Sequence, residues 1–326
     1  MNNILHTTLS NYTAVYDSKK SHSQGIIALM ITFFMIIFSS MTYAQDEDHE
    51  IHNENLKGIA KSLTFYCYEA ISGNAQPDNA MLKYTSIQKY NDRGLIVEFK
   101  MFRQNNSEAE NTDSYEYDQK GQLTKVKYES HDDNSIDDIE YDNQGNRIKE
   151  KSYVSGNLKY ISTKTFKNKK LIEEDILDVD QPEYPLKRIY TYDSMGNNIL
   201  FKLINREGKL TVITTTKYSG KGNYSYVTKD FEDNTTESGS YTCKYFPNGK
   251  LEEETYYSGK YPKMKTIYDD KGNKLREINY GGQGLNDIAS NEEYRYDKTD
   301  SHGNWTQRSR YNNGHRTTLE IRQIVY

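Results

Sequence analysis

Apolar and polar residues alternate along most of this chain, in short runs that turn-forming residues separate. The runs "RIYTY" before Asp193, "NILFKLI" after Gly196 and "KLTVITTTKY" leading to Tyr218 all show this alternation. A period of two places every second side chain on the same face of a β-strand. The pattern predicts short β-strands joined by turns, with little or no helix.

One turn sequence recurs between these strands. It stands as "YNDRGLI" at Tyr90, "YDQKGQL" at Tyr117, "YDNQGNRI" at Tyr141, "YDSMGNNI" at Tyr192, "YDDKGNKL" at Tyr268 and "YDKTDSHGNW" at Tyr296. In such a turn the Asp side chain accepts hydrogen bonds from backbone N–H groups that follow it, and a Gly three residues later takes a left-handed conformation without a Cβ clash. We therefore predict structural turn roles for Tyr117, Asp118, Gly121, Tyr141, Asp142, Gly145, Tyr192, Asp193, Gly196, Tyr268, Asp269, Gly272, Tyr296, Asp297 and Gly303.

The aromatic residue that opens each turn marks a repeat of 23 to 28 residues. The markers are Tyr90, Tyr117, Tyr141, Phe166, Tyr192, Tyr218, Tyr245, Tyr268 and Tyr296. A second, looser turn lies about halfway along each repeat, so one repeat holds two strands that need their neighbours to bury an apolar face. The sequence predicts an all-β fold: an elongated antiparallel β-meander of about nine hairpin repeats, with roughly 18 strands in a curled sheet or partial shell.

The motif YDxxGN with its flanking strands resembles the YD repeat of the Rhs family. The segment "YRYDKTDSHGNWTQRSRYNNGHRTTLEIRQIVY" is similar to the terminal repeat of exported Rhs-type proteins of Bacteroidetes, and "LKGIAKSLTFYCYEA" is similar to their opening strand. The resemblance covers about Leu56 to Tyr326 and says little about activity. Large Rhs and toxin-complex proteins use such repeats to build a hollow shell around a toxic C-terminal segment. This chain departs from them, since it is short and lacks the Pro- and Asp-rich cleavage signature that ends an Rhs core.

The N-terminal region has the order of a secretory signal. Lys19 and Lys20 precede an uncharged apolar stretch at 26–38, and Thr42-Tyr43-Ala44 offers a small-x-small cleavage site. We predict a signal peptide at 1–44, an acidic linker at 45–55 and a repeat domain at 56–326. An uncleaved signal anchor is the alternative, because residues 26–44 carry no charge. Either interpretation predicts export to the periplasm, the outer surface or the medium, with membrane contact only through the uncleaved signal.

Composition narrows the set of partners. The 326 residues include 30 Tyr and 5 Pro, with 35% hydrophobic and 27% charged residues, which is too aromatic for a disordered chain. Removing residues 1–44, with two Lys and one Asp, reduces 42 basic and 47 acidic residues to 40 and 46, a net charge of −6. Such a chain has no broad basic surface for nucleic acid, so nucleic acid is not expected as a partner.

The two cysteines, Cys67 and Cys243, leave two interpretations open. An oxidising compartment permits them to form a disulfide, whereas their position in distant repeats favours two separate buried thiols.

Residues that could carry chemistry have simpler explanations. His49 and His52 lie among acids in what we expect to be a solvated tail, and the acidic runs at 131–140 and 173–183 do not match the spacing of a calcium-binding EF-hand loop. Asp300, Ser301 and His302 are adjacent, whereas catalytic triad residues usually come from separate parts of a fold. The glycines of "GGQG" at 281–284 precede no helix pattern. We predict no catalytic residue, no metal site and no cofactor.

The single tryptophan, Trp305, lies in the last repeat. The sequence favours a role for it in capping the open end of a repeat array, with stacking on a sugar as the alternative. We predict an exported, non-catalytic repeat scaffold that binds carbohydrate, cell-envelope polymer or protein through a long aromatic and polar face. The alternative is a component of a polymorphic toxin system, as a shell remnant or an immunity partner.

Overall fold

The computed structural model describes residues 56–69, 82–104, 106–131, 134–180, 186–205, 207–282, 284 and 287–326. The predicted signal peptide at 1–44 and the acidic linker at 45–55 lie outside these ranges. The described residues form strands and turns and contain no helix. A long apolar helix able to span a bilayer is accordingly not found in these ranges.

Twenty strands follow one another in the described ranges. They are β1 Ser62–Glu69, β2 Leu82–Tyr90, β3 Ile96–Arg103, β4 Asn111–Tyr117, β5 Leu123–Ser130, β6 Asn134–Tyr141, β7 Arg147–Val154, β8 Asn157–Lys167, β9 Lys170–Asp178, β10 Leu186–Tyr192, β11 Asn198–Ile204, β12 Leu210–Gly220, β13 Asn223–Asp230, β14 Thr235–Tyr245, β15 Leu251–Ser258, β16 Tyr261–Tyr268, β17 Lys274–Tyr280, β18 Ile288–Thr299, β19 Trp305–Asn312 and β20 His315–Val325.

Each strand pairs antiparallel with the next strand in the chain, and β1 also pairs with β20. The β1–β20 register runs from Ser62 opposite Val325 to Glu69 opposite Thr318. The predicted antiparallel all-β meander is confirmed. The predicted curled sheet or partial shell is corrected to a closed sheet, because this last pairing joins its two ends. Closure satisfies the backbone N–H and C=O groups that a free edge would expose.

Strand register divides the residues between two faces. We call the face that carries Leu63, Phe65 and Cys67 the inner face, since it holds most of the buried side chains of the strand interiors. The other, outer face carries many ion pairs between neighbouring strands, such as Lys89 with Glu98, 2.7 Å apart.

The apolar side chains gather in local clusters along this wall. One cluster spans β3 to β6 and contains Ile96, Phe99, Tyr115, Leu123, Val126 and Ile139. Another lies on β10 and β11 and contains Tyr190, Phe201 and Leu203. Between the clusters the inner face carries polar and charged side chains, so the closed sheet presents chemically different sectors.

Most hairpin turns at one end of the sheet are the repeated Tyr-led turns, and the weak copy after Phe166 is shorter. There Asn168 and Lys169 take φ values of 53° and 62°, and Lys167 pairs directly with Lys170. A two-residue loop with both residues at positive φ matches the right-handed twist of the flanking strands. We call this end of the sheet the turn rim.

Candidate functional site

The turns of the rim share one hydrogen-bond pattern, which Asp193 illustrates. Its carbonyl accepts from the N–H of Gly196 at 3.1 Å, and its carboxylate accepts from the N–H groups of Met195 and Asn197, both at 2.9 Å. Gly196 has a φ of 95°, which a residue with a Cβ rarely adopts. The structure places the same geometry after Tyr117, Tyr141 and Tyr268, at Asp118 to Gly121, Asp142 to Gly145 and Asp269 to Gly272.

The turn after Tyr296 differs from the prediction. Asp297 lies inside β18, where its carboxylate accepts a hydrogen bond from Ser309 at 2.9 Å. Asp300 occupies the turn position, and its carbonyl accepts from the N–H of Gly303 at 3.0 Å. The turn role assigned to Asp297 is therefore wrong. The additional residues lengthen β18 through two register shifts, and so the turn begins three residues later than the Tyr-Asp spacing indicates.

Asp300, Ser301 and His302 serve this turn. The carboxylate of Asp300 accepts from the N–H groups of His302 and Asn304 and from the hydroxyl of Tyr326. The His302 ring stacks on Tyr326 with ring centroids 3.9 Å apart. Burial opposes ionisation of Asp300, but the hydrogen bonds from Tyr326 and Asn304 outweigh it and lower the pKa of the carboxyl. The carboxylate of Asp300 is therefore committed to the turn.

Tyrosines that open the turns connect successive repeats. The hydroxyl of Tyr117 donates to the carbonyl of Ile96 at 2.7 Å, and that of Tyr192 donates to the carbonyl of Leu171 at 2.8 Å. Tyr296 donates in the same way to Lys274 at 3.0 Å. Each ring packs on the sheet while its hydroxyl satisfies a carbonyl at the start of the preceding strand.

Long polar side chains also join one turn to the next around the rim. Arg93 donates to the carbonyls of Asp118 and Gln119, both at 3.2 Å. Farther along the rim, the ammonium group of Lys221 donates a hydrogen bond to the carbonyl of Gly249 at 3.1 Å. Arg93 and Lys221 thus each join one turn to the next, and we interpret their contacts as structural.

The inner face of β12 to β15 carries a row of stacked tyrosines. The ring centroids of Tyr218 and Tyr224 are 5.7 Å apart. The ring centroid of Tyr241 lies 5.2 Å from the ring centroids of both Tyr224 and Tyr256. The sequence analysis singled out the tyrosines that open the turns and missed this row, which mostly uses positions in the middle of strands. The alternating "YSY" of β13 is the signal that could have shown it.

Gly239 makes room for this row. A Cβ at position 239 would lie 2.5 Å from the hydroxyl oxygen of Tyr226, which is hydrogen-bonded at 3.1 Å to the hydroxyl of Tyr256. The glycine in β14 is therefore required by the close approach of an aromatic ring across the strand pair.

A second sector of the inner face, on β8 to β10, buries a carboxylate among cations. Glu174 is 7% exposed, and its oxygens lie 2.8 Å from the Ser162 hydroxyl, 3.0 Å from Arg188 and 3.9 Å from the ammonium of Lys164. Burial on its own would raise the pKa of Glu174, but the charges of Lys164 and Arg188 and the hydrogen bonds lower it.

A third sector, on β18 to β20, surrounds Trp305 with guanidinium groups. The guanidinium carbon of Arg322 lies 3.5 Å from the centroid of the Trp305 ring, and that of Arg308 lies 4.3 Å from it. Phe65 approaches the same ring edge-on. Burial lowers the pKa of Arg322 to about 9. Because the sheet closes, Trp305 caps no open end. Its role in ligand stacking stays a prediction, and a ligand would have to compete with these guanidinium groups.

The structure decides between the two interpretations of the cysteines. Cys67 and Cys243 are both free thiols, and burial raises the pKa of each.

The metal candidates are only partly covered by the described residues. Within the described ranges, no group of three His, Cys, Asp or Glu side chains could hold a metal ion. The acidic runs at 131–140 and 173–183 are only partly described, and His49 and His52 lie outside the described residues.

Comparison with known proteins adds structural neighbours of low similarity. No protein-family model matches the chain, and no curated protein matches it either. A crystal structure of TcdB2-TccC3 is 14% identical with a TM-score of 0.40, covering 79% of this chain and 16% of that one. A Tc holotoxin pore of Photorhabdus luminescens with a TccC3 mutation is 14% identical with a TM-score of 0.36, covering 78% of this chain and 15% of that one.

A porin-like protein from Bacteroides uniformis is 11% identical with a TM-score of 0.35, covering 82% of this chain and 99% of that one. The chain thus spans less than a fifth of the toxin-complex chains that it matches. With these TM-scores and identities, none of the neighbours assigns the chain to a family.

Proposed function

We propose that this protein is an exported, non-catalytic scaffold whose inner face binds a hydroxyl-rich polymer such as a carbohydrate of the cell envelope. The observation that carries the proposal is the closure of a 20-stranded sheet around a face that presents stacked tyrosines beside paired carboxylates and cations. Aromatic rings pack against the apolar faces of sugars, and flanking charged groups and hydroxyls satisfy the sugar hydroxyls.

The size of the sheet supports an enclosed ligand. Strands about 4.8 Å apart give 20 strands a perimeter of roughly 95 Å, and barrels of roughly 16 strands or more enclose more space than their side chains fill. The inner-face contacts described above join strands that are no more than two positions apart in the sheet, such as Tyr226 on β13 and Tyr256 on β15. These contacts run along the wall and do not cross the interior to the opposite side of the sheet.

Two of the acids described above, Glu174 and Asp300, suit a binding surface better than catalysis. Glu174 is held by Arg188, Lys164 and Ser162, and Asp300 is held by its own turn. A general acid or base has to exchange its proton with a substrate within hydrogen-bond reach. Side chains so committed to structural partners serve better as a fixed surface.

A glycan and envelope-polymer binding screen on the purified protein tests the proposal. Once a ligand is found, Tyr256→Leu should weaken binding about fivefold, because it removes an inner-face ring worth roughly 1 kcal/mol in stacking. Tyr311→Leu is the matched control, since Tyr311 lies on the outer face, where its ring stacks with Arg295. Binding of no polymer, or equal effects of the two substitutions, would contradict the proposal.

A second candidate is enclosure of a polypeptide, as a component of a toxin system. The closed sheet is the observation that favours it, because a closed wall can shield a segment from proteases. Co-expression with the product of a neighbouring gene, followed by limited proteolysis, separates the candidates. A protected polypeptide inside the sheet, together with no polymer binding, would favour this second function.

A further inference from the structure

The seam of the sheet lies between β1 and β20. In the part of the chain that the structure describes, these are the one pair of neighbouring strands that are not consecutive along the sequence. At this seam, by contrast, contacting residues such as Lys57 and Asn304 are 247 positions apart. Backbone hydrogen bonds and side chains alone hold β1 to β20.

A cluster on the turn rim fastens this seam. The backbone N–H of Lys57 donates to the side-chain oxygen of Asn304 at 2.7 Å, and the Asn304 amide donates back to the carbonyl of Lys57 at 2.9 Å. The hydroxyl of Tyr326 donates to Asp300 at 2.5 Å and accepts from the Asn304 amide at 2.6 Å. We call these four residues the clasp.

Gly58 shows how tightly the clasp is packed. Its φ is 91°, and a Cβ there would lie 3.2 Å from Tyr326 and 3.3 Å from His302. The N-terminal segment therefore passes directly beneath the stacked rings of those two residues, and a larger side chain at position 58 would push the segment away from β20.

Other turns of the rim provide an internal comparison. The equivalent asparagines Asn197 and Asn273 use their amides within the turn, donating to Asp193 and Asp269 at 2.9 Å and 2.8 Å. In the clasp the corresponding distance from Asn304 to Asp300 is 3.4 Å, because the amide turns towards Lys57 and Tyr326. The same turn residue thus bonds across the seam at this one described position.

We propose that the clasp is a latch, and that the sheet opens along β1–β20 when the clasp releases. Opening at any hairpin would have to strain or unfold a covalent turn, whereas the seam separates by breaking only noncovalent contacts. Release of the latch admits ligand to the inner face from the side. This last step rests on the proposed function, and the opening itself does not.

Hydrogen exchange followed by mass spectrometry on the full protein tests the opening. Asn304→Ala should speed amide exchange in β1 and β20 about tenfold while the strands from β3 to β18 keep their rates. Asn197→Ala removes the equivalent amide of a turn that joins a hairpin, and its effect should stay within that turn. Tyr326→Phe keeps the ring stacked on His302 but removes the hydroxyl, so it should act like a milder Asn304→Ala. Exchange that rises equally in all strands, or only in the turn at Asn304, would overturn the latch.

A disulfide across the seam separates opening from ligand access. Thr64→Cys with Gln323→Cys joins directly opposed residues of β1 and β20, and Thr242→Cys with Thr255→Cys joins opposed residues of β14 and β15 as a control. The oxidised seam disulfide should abolish the fast exchange of Asn304→Ala and slow binding of the envelope polymer, and the control should do neither. Unchanged binding with abolished exchange would refute side entry alone. Failure of every polymer to bind would refute the proposed function and leave the exchange result to decide the latch.

Discussion

Two carboxyl groups of the inner face are equally buried and have opposite pKa shifts. Asp113 on β4 is 6% exposed, and Glu174 on β9 is 7% exposed. Burial raises the pKa of Asp113 to about 7, because its strand neighbours across the sheet are Phe99 and Tyr128 and its bond from the Tyr115 hydroxyl is long, at 3.4 Å. The pKa of Glu174 is lowered, since nearby cations outweigh the same burial cost.

The difference shows that burial alone does not decide the charge state of an acid in this wall. Removing a carboxylate from water costs several kcal/mol, and only a charged or hydrogen-bonding partner in good geometry offsets that cost. The turns that carry these strands are built alike, with the same bonds at Asp118 and Asp193. The repeat therefore fixes the backbone, while the inner-face side chains of each sector decide its chemistry.

The largest effect is expected from removing the cation in the second sector. Arg188→Met should lower the free energy of unfolding by about 3 to 5 kcal/mol, because it leaves Glu174 buried with a weaker partner, Lys164, at 3.9 Å. Urea denaturation at pH 7 measures this loss. Adding Glu174→Gln in the same chain should restore a large part of it. A loss below about 1 kcal/mol, which is typical of exposed ion pairs, would show that the pair is screened by water.

The next effect comes from the surroundings of Asp113 on β4 and depends on pH. Asp113→Asn should stabilise the protein increasingly as the pH rises from 4 to 8, by about 2 to 4 kcal/mol at pH 8, at roughly 1.4 kcal/mol per unit of pKa shift. The pKa of Asp113 is higher in the folded protein than in the unfolded chain. The contribution of Asp113 to the free energy of unfolding is therefore fully present below the unfolded-state pKa, near 4, and is lost as the pH rises through about 7.

Urea denaturation at pH 4, 6 and 8 checks this dependence. Glu174→Gln is the matched control and should show the opposite trend, because the lowered pKa of Glu174 gives stability that is present at neutral pH and lost in acid. An Asp113→Asn effect that is independent of pH would mean that the carboxyl is not desolvated.

The smallest effect tests the claim that the strands around Asp113 and those around Glu174 are joined by turns of the same construction. Asp118→Ala and Asp193→Ala should each lower the melting temperature by a similar, small amount, because each removes a side chain that accepts a turn N–H bond at 2.9 Å. Thermal denaturation of the two variants compares the two decreases directly. Clearly different decreases in melting temperature would show that the inner-face sectors influence their turns.

Local features of the fold were predictable from the sequence, and the exception is informative. Alternation and the Asp-Gly spacing predicted antiparallel strands joined by turns. The prediction for Asp297 was wrong, because the spacing from Tyr296 holds only for a strand of regular length and β18 contains two register shifts. A bulge depends on how the partner strand is aligned, and a single strand's sequence does not record that alignment.

The sequence by itself determined the turns, the strand count to within two and the polar, aromatic character of the wall, because bond geometry and side-chain alternation act over a few residues. Only the tertiary structure decided that β1 meets β20, that Asn304 bonds across that seam and that Asp113 and Glu174 have opposite pKa shifts. These features depend on residues far apart in the chain and on the partners that each buried group finds, so no local pattern could specify them.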